Sequence, residues 1–159
     1  MPFKTKPALW TAAILGQTDE VQRLLLGGGA DIQEKTQDGS SALHRAASGG
    51  HSAIVELLLD QGADANVETN NGDTPLLSAA SGGHNVVVQM LLDRGAKANA
   101  PSNLGVTPLH QAATCGNRIC VLELLDKVAD VNLQTRDGDS ALHRATAAGH
   151  GASLPNPEP

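Results

Sequence analysis

The sequence predicts an all-α solenoid of about four and a half helix-turn-helix units joined by β-hairpin-like turns. Three observations carry this: a fixed 33-residue period, turn and capping residues at constant places within it, and two short amphipathic runs in each period. Gly39, Gly72, Gly105 and Gly138 stand 33 residues apart, and so do Leu43, Leu76, Leu109 and Leu142. Ala46, Ala79, Ala112 and Ala145 keep the same step, as do Gly50, Gly83, Gly116 and Gly149, while Asn66, Asn99 and Asn132 close the units in register.

Each element follows from its residues. In "NGDTPLLSAASGGH", Thr74 supplies an N-cap oxygen and Pro75 takes the first helical position, where a missing N–H costs nothing. Leu76, Ala79 and Ala80 share one face of that first helix, and the alanines let a neighbouring backbone come close. Gly83 ends it through a left-handed conformation. The run "NVVVQMLLDRG" forms the second helix, with Val87, Met90, Leu91 and Leu92 as its apolar stripe and Gly95 as its stop. The "NNG" and "RDG" stretches are turn signals that project to one side. Helices this short are marginal alone, so burial against adjacent units must hold them.

These residues resemble the ankyrin repeat family, through "SALHRAASGGHSAIVELLLDQGADAN", "TPLLSAASGGHNVVVQMLLDRGAKAN", "TPLHQAATCGNRICVLELLDKVADVN" and "SALHRATAAGH". A diverged first unit, "ALWTAAILGQTDEVQRLLLGGGADI", fits with one extra residue in Gly27–Gly29, a loop site where insertions are tolerated. The resulting organisation is a lead-in at 1–7, a repeat domain at 8–150 and a flexible Pro-rich tail at 151–159. Its units fall at about 8–35, 36–68, 69–101 and 102–134, with a partial unit at 135–150. The resemblance implies a curved stack of helix pairs with an extended concave protein-binding surface.

Composition narrows the function. Eleven Lys+Arg against 17 Asp+Glu give a net charge of −6, which disfavours nucleic acid and anionic membrane surfaces as partners. Aromatic residues make up 1%, Phe3 and Trp10 only, leaving few anchors for a greasy ligand or a nucleobase. No apolar run approaches the roughly 20 residues of a membrane span, and no apolar signal stretch opens the chain. With only Cys115 and Cys120, the expected setting is intracellular, cytoplasmic or nuclear.

Chemistry-bearing residues read as structural. His44, His110 and His143 recur at one repeat position, and His51, His84 and His150 at another, one repeat apart and too far from each other to share a metal ion. Cys115 and Cys120 lack a Cys-x-x-Cys pairing, "LGGGAD" lacks the phosphate-loop Lys, and no Gly-x-Ser-x-Gly elbow is present. The expectation is therefore no catalytic residue, no cofactor and no metal. The favoured reading is a non-enzymatic protein-protein interaction module binding a polypeptide through its concave face and hairpin tips. A segment with a scaffolding role in a larger polypeptide, and an enzyme site built on the repeats, are the other readings.

Within the resemblance, positions that vary between units are the expected partner contacts: Lys35, Gln37, Asp38, Ser40, Glu68, Asn70, Asn71, Asp73, Ser81, Asn103, Leu104, Val106, Thr114, Arg136, Asp137 and Asp139. Leu104 and Val106 stand out, being apolar on a turn that is polar elsewhere. The acidic turn residues call for a neutral to basic partner segment. Asn132, Asn66 and Asn99 resemble sites of asparaginyl hydroxylation, Asn132 best, the other reading being an Asn that bonds its own turn.

Departures from the repeat make three further expectations. Val128 replaces Gly62 and Gly95, so a left-handed conformation there carries about 1–2 kcal/mol of strain. Leu77 replaces the recurring histidine and removes one link between units. The half unit at the end leaves Ile119, Val121, Leu122, Leu124 and Leu125 only partly capped, a candidate surface for self-association.

Overall fold

The computed structural model describes residues 9–27 and 29–150. The lead-in, the tail and Gly28 of the proposed insertion lie outside the described residues. Among those described, nine α-helices form consecutive antiparallel pairs: α1 Leu9–Ile14 with α2 Thr18–Leu26, α3 Ala42–Ser48 with α4 Ser52–Asp60, and α5 Pro75–Gly82 with α6 Asn85–Asp93. Helix α7 Pro108–Thr114 pairs with α8 Arg118–Asp126, and α9 Ala141–Ala147 opens a further unit. First helices pack on first helices (α1, α3, α5, α7, α9) and second on second (α2, α4, α6, α8), giving two parallel layers.

The caps are those the residues dictate. Thr74 Oγ1 accepts the N–H of Leu77 at 3.2 Å, Pro75 is the first helical residue, and Gly83 closes the helix at φ 71°. Each tip is a hairpin-like turn closed by two backbone hydrogen bonds, in which the N–H of Thr36, Thr69, Ser102 or Thr135 donates to the carbonyl of Ser40, Asp73, Val106 or Asp139, and the following Gly39, Gly72, Gly105 or Gly138 donates back. The core runs the length of the array. Leu43, Leu76, Leu109, Ala46, Ala79 and Ala112 of the first helices are buried, as are Val55, Val88, Val121, Leu58, Leu91 and Leu124 of the second.

Histidine links the units. The Ser41 N–H donates to His44 Nδ1 at 3.1 Å, which leaves the ring proton on Nε2, and Nε2–H donates to the Asp73 carbonyl of the next unit at 2.9 Å. His110 repeats this between Thr107 and the Asp139 carbonyl. Leu77 is buried, caps nothing and sends no bond to Val106. The second histidine series does related work: His51 Nε2 lies 3.1 Å from the Ile14 carbonyl, and His84 Nε2 lies 3.0 Å from that of Ser48.

Val128 has φ 67° and is the non-glycine residue in the left-handed region among those described. Its branched side chain clashes with its own backbone there, and at 79% exposure no burial offsets the strain. The expected bare face of α8 is corrected. Val121 and Leu124 are fully buried, covered from within their own unit and by α6. Ile119 and Leu122 are exposed, but so are Val86 and Gln89 at the same repeat positions of α6, which has a neighbour on both sides. These two residues point to the outer face of every unit, so a missing neighbour is not the cause of their exposure.

Candidate functional site

The tips stand side by side and are tied into a ridge. Asn70 donates its backbone N–H to the Asp38 carbonyl and its side-chain amide to that of Gln37, both at 3.0 Å. One unit on, Asn103 donates in the same way to Asn71 at 2.8 Å and Asn70 at 3.0 Å, and the Arg136 N–H reaches the Leu104 carbonyl at 2.9 Å. Lys35 Nζ adds a bond to the Glu68 carbonyl at 3.0 Å. This close approach explains Gly39: a Cβ there would sit 2.7 Å from the Asn70 nitrogen, at a φ of 82° that already excludes most side chains.

A groove runs between this ridge and the first helices, with hollows between the first and second, the third and fourth, and the fourth and fifth units. The N-terminal hollow, about 540 Å³, is lined by Trp10, Thr36, Gln37, Asp38 and Arg45. The central one, about 350 Å³, has Leu77, Leu104 and Val106 on its walls with Asp73, Ser78, Ser81 and Gln111. The C-terminal one, about 490 Å³, lies among Thr114, Asp139, His143 and Arg144.

The two ends of the groove satisfy their own charges. Arg45 pairs with Asp38 at 3.1 Å, and Arg144 with Asp139 at 3.6 Å. The Thr36 hydroxyl, then the Ser40 hydroxyl and N–H, hold the Asp38 carboxyl down at about 2. Ser40, expected among the contact residues, is buried at 6% exposure, and its hydroxyl donates to Asp38 at 2.9 Å. It supports the tip from below. In the middle of the groove Gln111 donates to the Ser81 hydroxyl at 3.0 Å and the Cys115 thiol to the Ser81 carbonyl at 3.4 Å. Glu68, Asp73 and Asp137 have no ion-pair partner among the described residues.

The expected contact residues thus fall into two groups. Asn70 and Asn103 hold the ridge, whereas Asn71, Leu104, Arg136 and Asp137 are exposed on it and Ser81 and Thr114 face the groove. Groove residues absent from the expected contacts include Trp10, Arg45, Ser78 and Gln111. The last three share one repeat position with Arg144, and that position varies as the tips do. The asparagines also do more than bond their own turns. Asn66 accepts from the Lys97 N–H at 2.8 Å and donates to the Gly95 carbonyl at 3.0 Å, and Asn99 bridges to Asp130 and Val128 alike. The Asn132 side chain is exposed and has no hydrogen-bond partner among the described residues.

Among the described residues no group of three His, Cys, Asp or Glu side chains converges as metal ligands, and no helix is long and apolar enough to cross a membrane. Cys120 is buried, and loss of solvent raises its thiol to about 11.

No curated protein matches the chain. Two family models do: one for ankyrin repeats (3 copies) matches residues 9–102, and one for ankyrin repeats (many copies) matches residues 93–145. Ankyrin repeats are in general protein-protein interaction modules and in general not enzymes. Together with the paired helices, projecting tips and concave groove, these matches show that the chain belongs to the ankyrin repeat family.

Proposed function

We propose that this chain is a non-enzymatic interaction module that holds a polypeptide partner along the groove between its tip ridge and its first helices. The observation that supports this reading is the set of three open hollows spaced along the groove, the first lined by Trp10 and the last by Arg144. A row of open hollows suits an extended chain that places successive side chains, whereas a single enclosed cavity would suit a small molecule. The partner segment is neutral to basic, because Glu68, Asp73 and Asp137 offer charge that no cation among the described residues pairs with.

The test is affinity capture with the intact chain, with partners identified by mass spectrometry and repeated with Ser81→Arg and Thr114→Arg. Both substitutions fill the groove from exposed or half-exposed positions. Partners lost with both variants support the reading. Partners retained by both place binding elsewhere on the chain.

A further inference from the structure

The middle of the groove differs in kind from its ends, and the register shows how. Arg144 and Asp139 form an ion pair; one repeat position carries Arg144, Gln111, Ser78 and Arg45, and another carries Asp139, Val106, Asp73 and Ser40. At the third unit the carboxylate is kept, as Asp73, while the cation is replaced by Ser78. Beside it the recurring histidine becomes Leu77, and on the next tip Val106 and Leu104 stand where Asp139 and Asp137 stand one unit later. An apolar patch of Leu77, Leu104 and Val106 therefore adjoins a carboxylate that no cation of the described residues reaches. Leu104 is 64% exposed and Val106 half-buried, so these two form the open part of the patch, with the buried Leu77 as its floor.

We propose that this central hollow reads a two-residue feature of the partner: a branched aliphatic side chain seated on Leu77, Leu104 and Val106, followed or preceded by a Lys or Arg that pairs with Asp73. The inference rests on the groove reading above and specifies its partner. Two independent features converge on that occupant. Apolar area gains by being covered, which selects an aliphatic group. The carboxylate next to it selects a cation, and the chain's net charge of −6 attracts one from a distance. The ends of the groove, where Arg45 and Arg144 already neutralise their carboxylates, exert no such selection for a cation.

The probe is a displayed library of random 12-residue peptides, selected on the full chain and read for its consensus. The expected consensus pairs Val, Ile or Leu with Lys or Arg within two positions. For a selected peptide, Asp73→Asn lowers affinity about 3- to 10-fold. Asp73→Lys abolishes binding, and exchanging the peptide's basic residue for Glu restores it. The double variant Leu77→His, Val106→Asp gives the third and fourth units the residues that neighbouring units carry at these two positions, which keeps the fold while removing the aliphatic preference. Peptides that lose affinity with Ser81→Arg but carry no aliphatic-basic pair, or ignore Asp73→Asn, overturn this proposal and leave groove binding standing. Peptides indifferent to Ser81→Arg, or a selection that yields no binder, overturn both. A dimer of the chain disrupted by Leu104→Asp identifies a second copy as the occupant and overturns the peptide assignment.

Discussion

The carbonyl oxygen of Asp73 receives the Nε2–H of His44 across the boundary between two units, at 2.9 Å. Asp139 receives that of His110 in the same way, and between them Leu77 and Val106 break the series. The histidine links of the array thus lie on either side of a centre where Leu77 and Val106 replace them.

Removing one link has a defined cost. His110→Leu strands the Asp139 carbonyl and the Thr107 N–H in a poorly hydrated site, and destabilises the chain by about 1–3 kcal/mol. Burial lowers the titration of both His44 and His110 below the ordinary 6.5, because each ring must stay neutral to accept at Nδ1. The stability tied to them is complete above the unfolded value and is lost as pH falls below it toward the folded values. Urea midpoints measured between pH 7.5 and pH 5 check this: they fall in the native chain and fall less in His110→Leu. Midpoints that stay level contradict it.

Val128 gives the second prediction. Glycine at this position removes the left-handed strain and loses no buried area, against a larger entropy in the unfolded chain. Val128→Gly raises stability by about 0.5–1 kcal/mol in equilibrium urea unfolding. The Asn99 bond to the residue's carbonyl, 3.1 Å, involves backbone only and survives the change.

How much of this was legible in the sequence follows from how strictly the repeat constrains each residue. Caps, core leucines and the left-handed Val128 recur at fixed places, so register alone locates them. Asn70 and Asn103 recur too, but their role depends on how closely two tips approach, which is a distance between units that no single period contains. Ser40 varies between units as a surface residue does, yet the Asp38 carboxylate folds back over it, which the period does not reveal. Ile119 and Leu122 are apolar in type yet lie on the outer face of α8, and residue type alone does not reveal orientation. Comparison with Val86 and Gln89 gives the correct face.

Salt provides the third prediction. On the tips, Glu68, Asp73 and Asp137 have no ion-pair partner among the described residues, whereas Asp38 and Asp139 have arginine partners. Affinity for a partner peptide drops about 3- to 10-fold as ionic strength rises from low to high, with the Debye length shrinking from about 30 Å at 0.01 M to about 3 Å at 1 M. Titration at a series of salt concentrations measures it. Affinity that is constant or rises removes the electrostatic part of the account.

Modification is the fourth. Asn66 and Asn99 use their side chains to bridge units, whereas Asn132 is free to enter an enzyme site. Incubation with an asparaginyl hydroxylase is expected to add one oxygen at Asn132 ahead of Asn66 and Asn99, as read by peptide mass spectrometry. Modification in the reverse order contradicts the assignment.

The central claim is that a partner lies along the groove, and hydrogen exchange on the full chain with and without a selected peptide tests it most directly. The account predicts slowed exchange at the tips, residues 69–73 and 102–106, and in the first helices behind them, with the outer-face helices 85–93 and 118–126 unchanged. Protection confined to those outer helices, around Val86, Ile119 and Leu122, would contradict it.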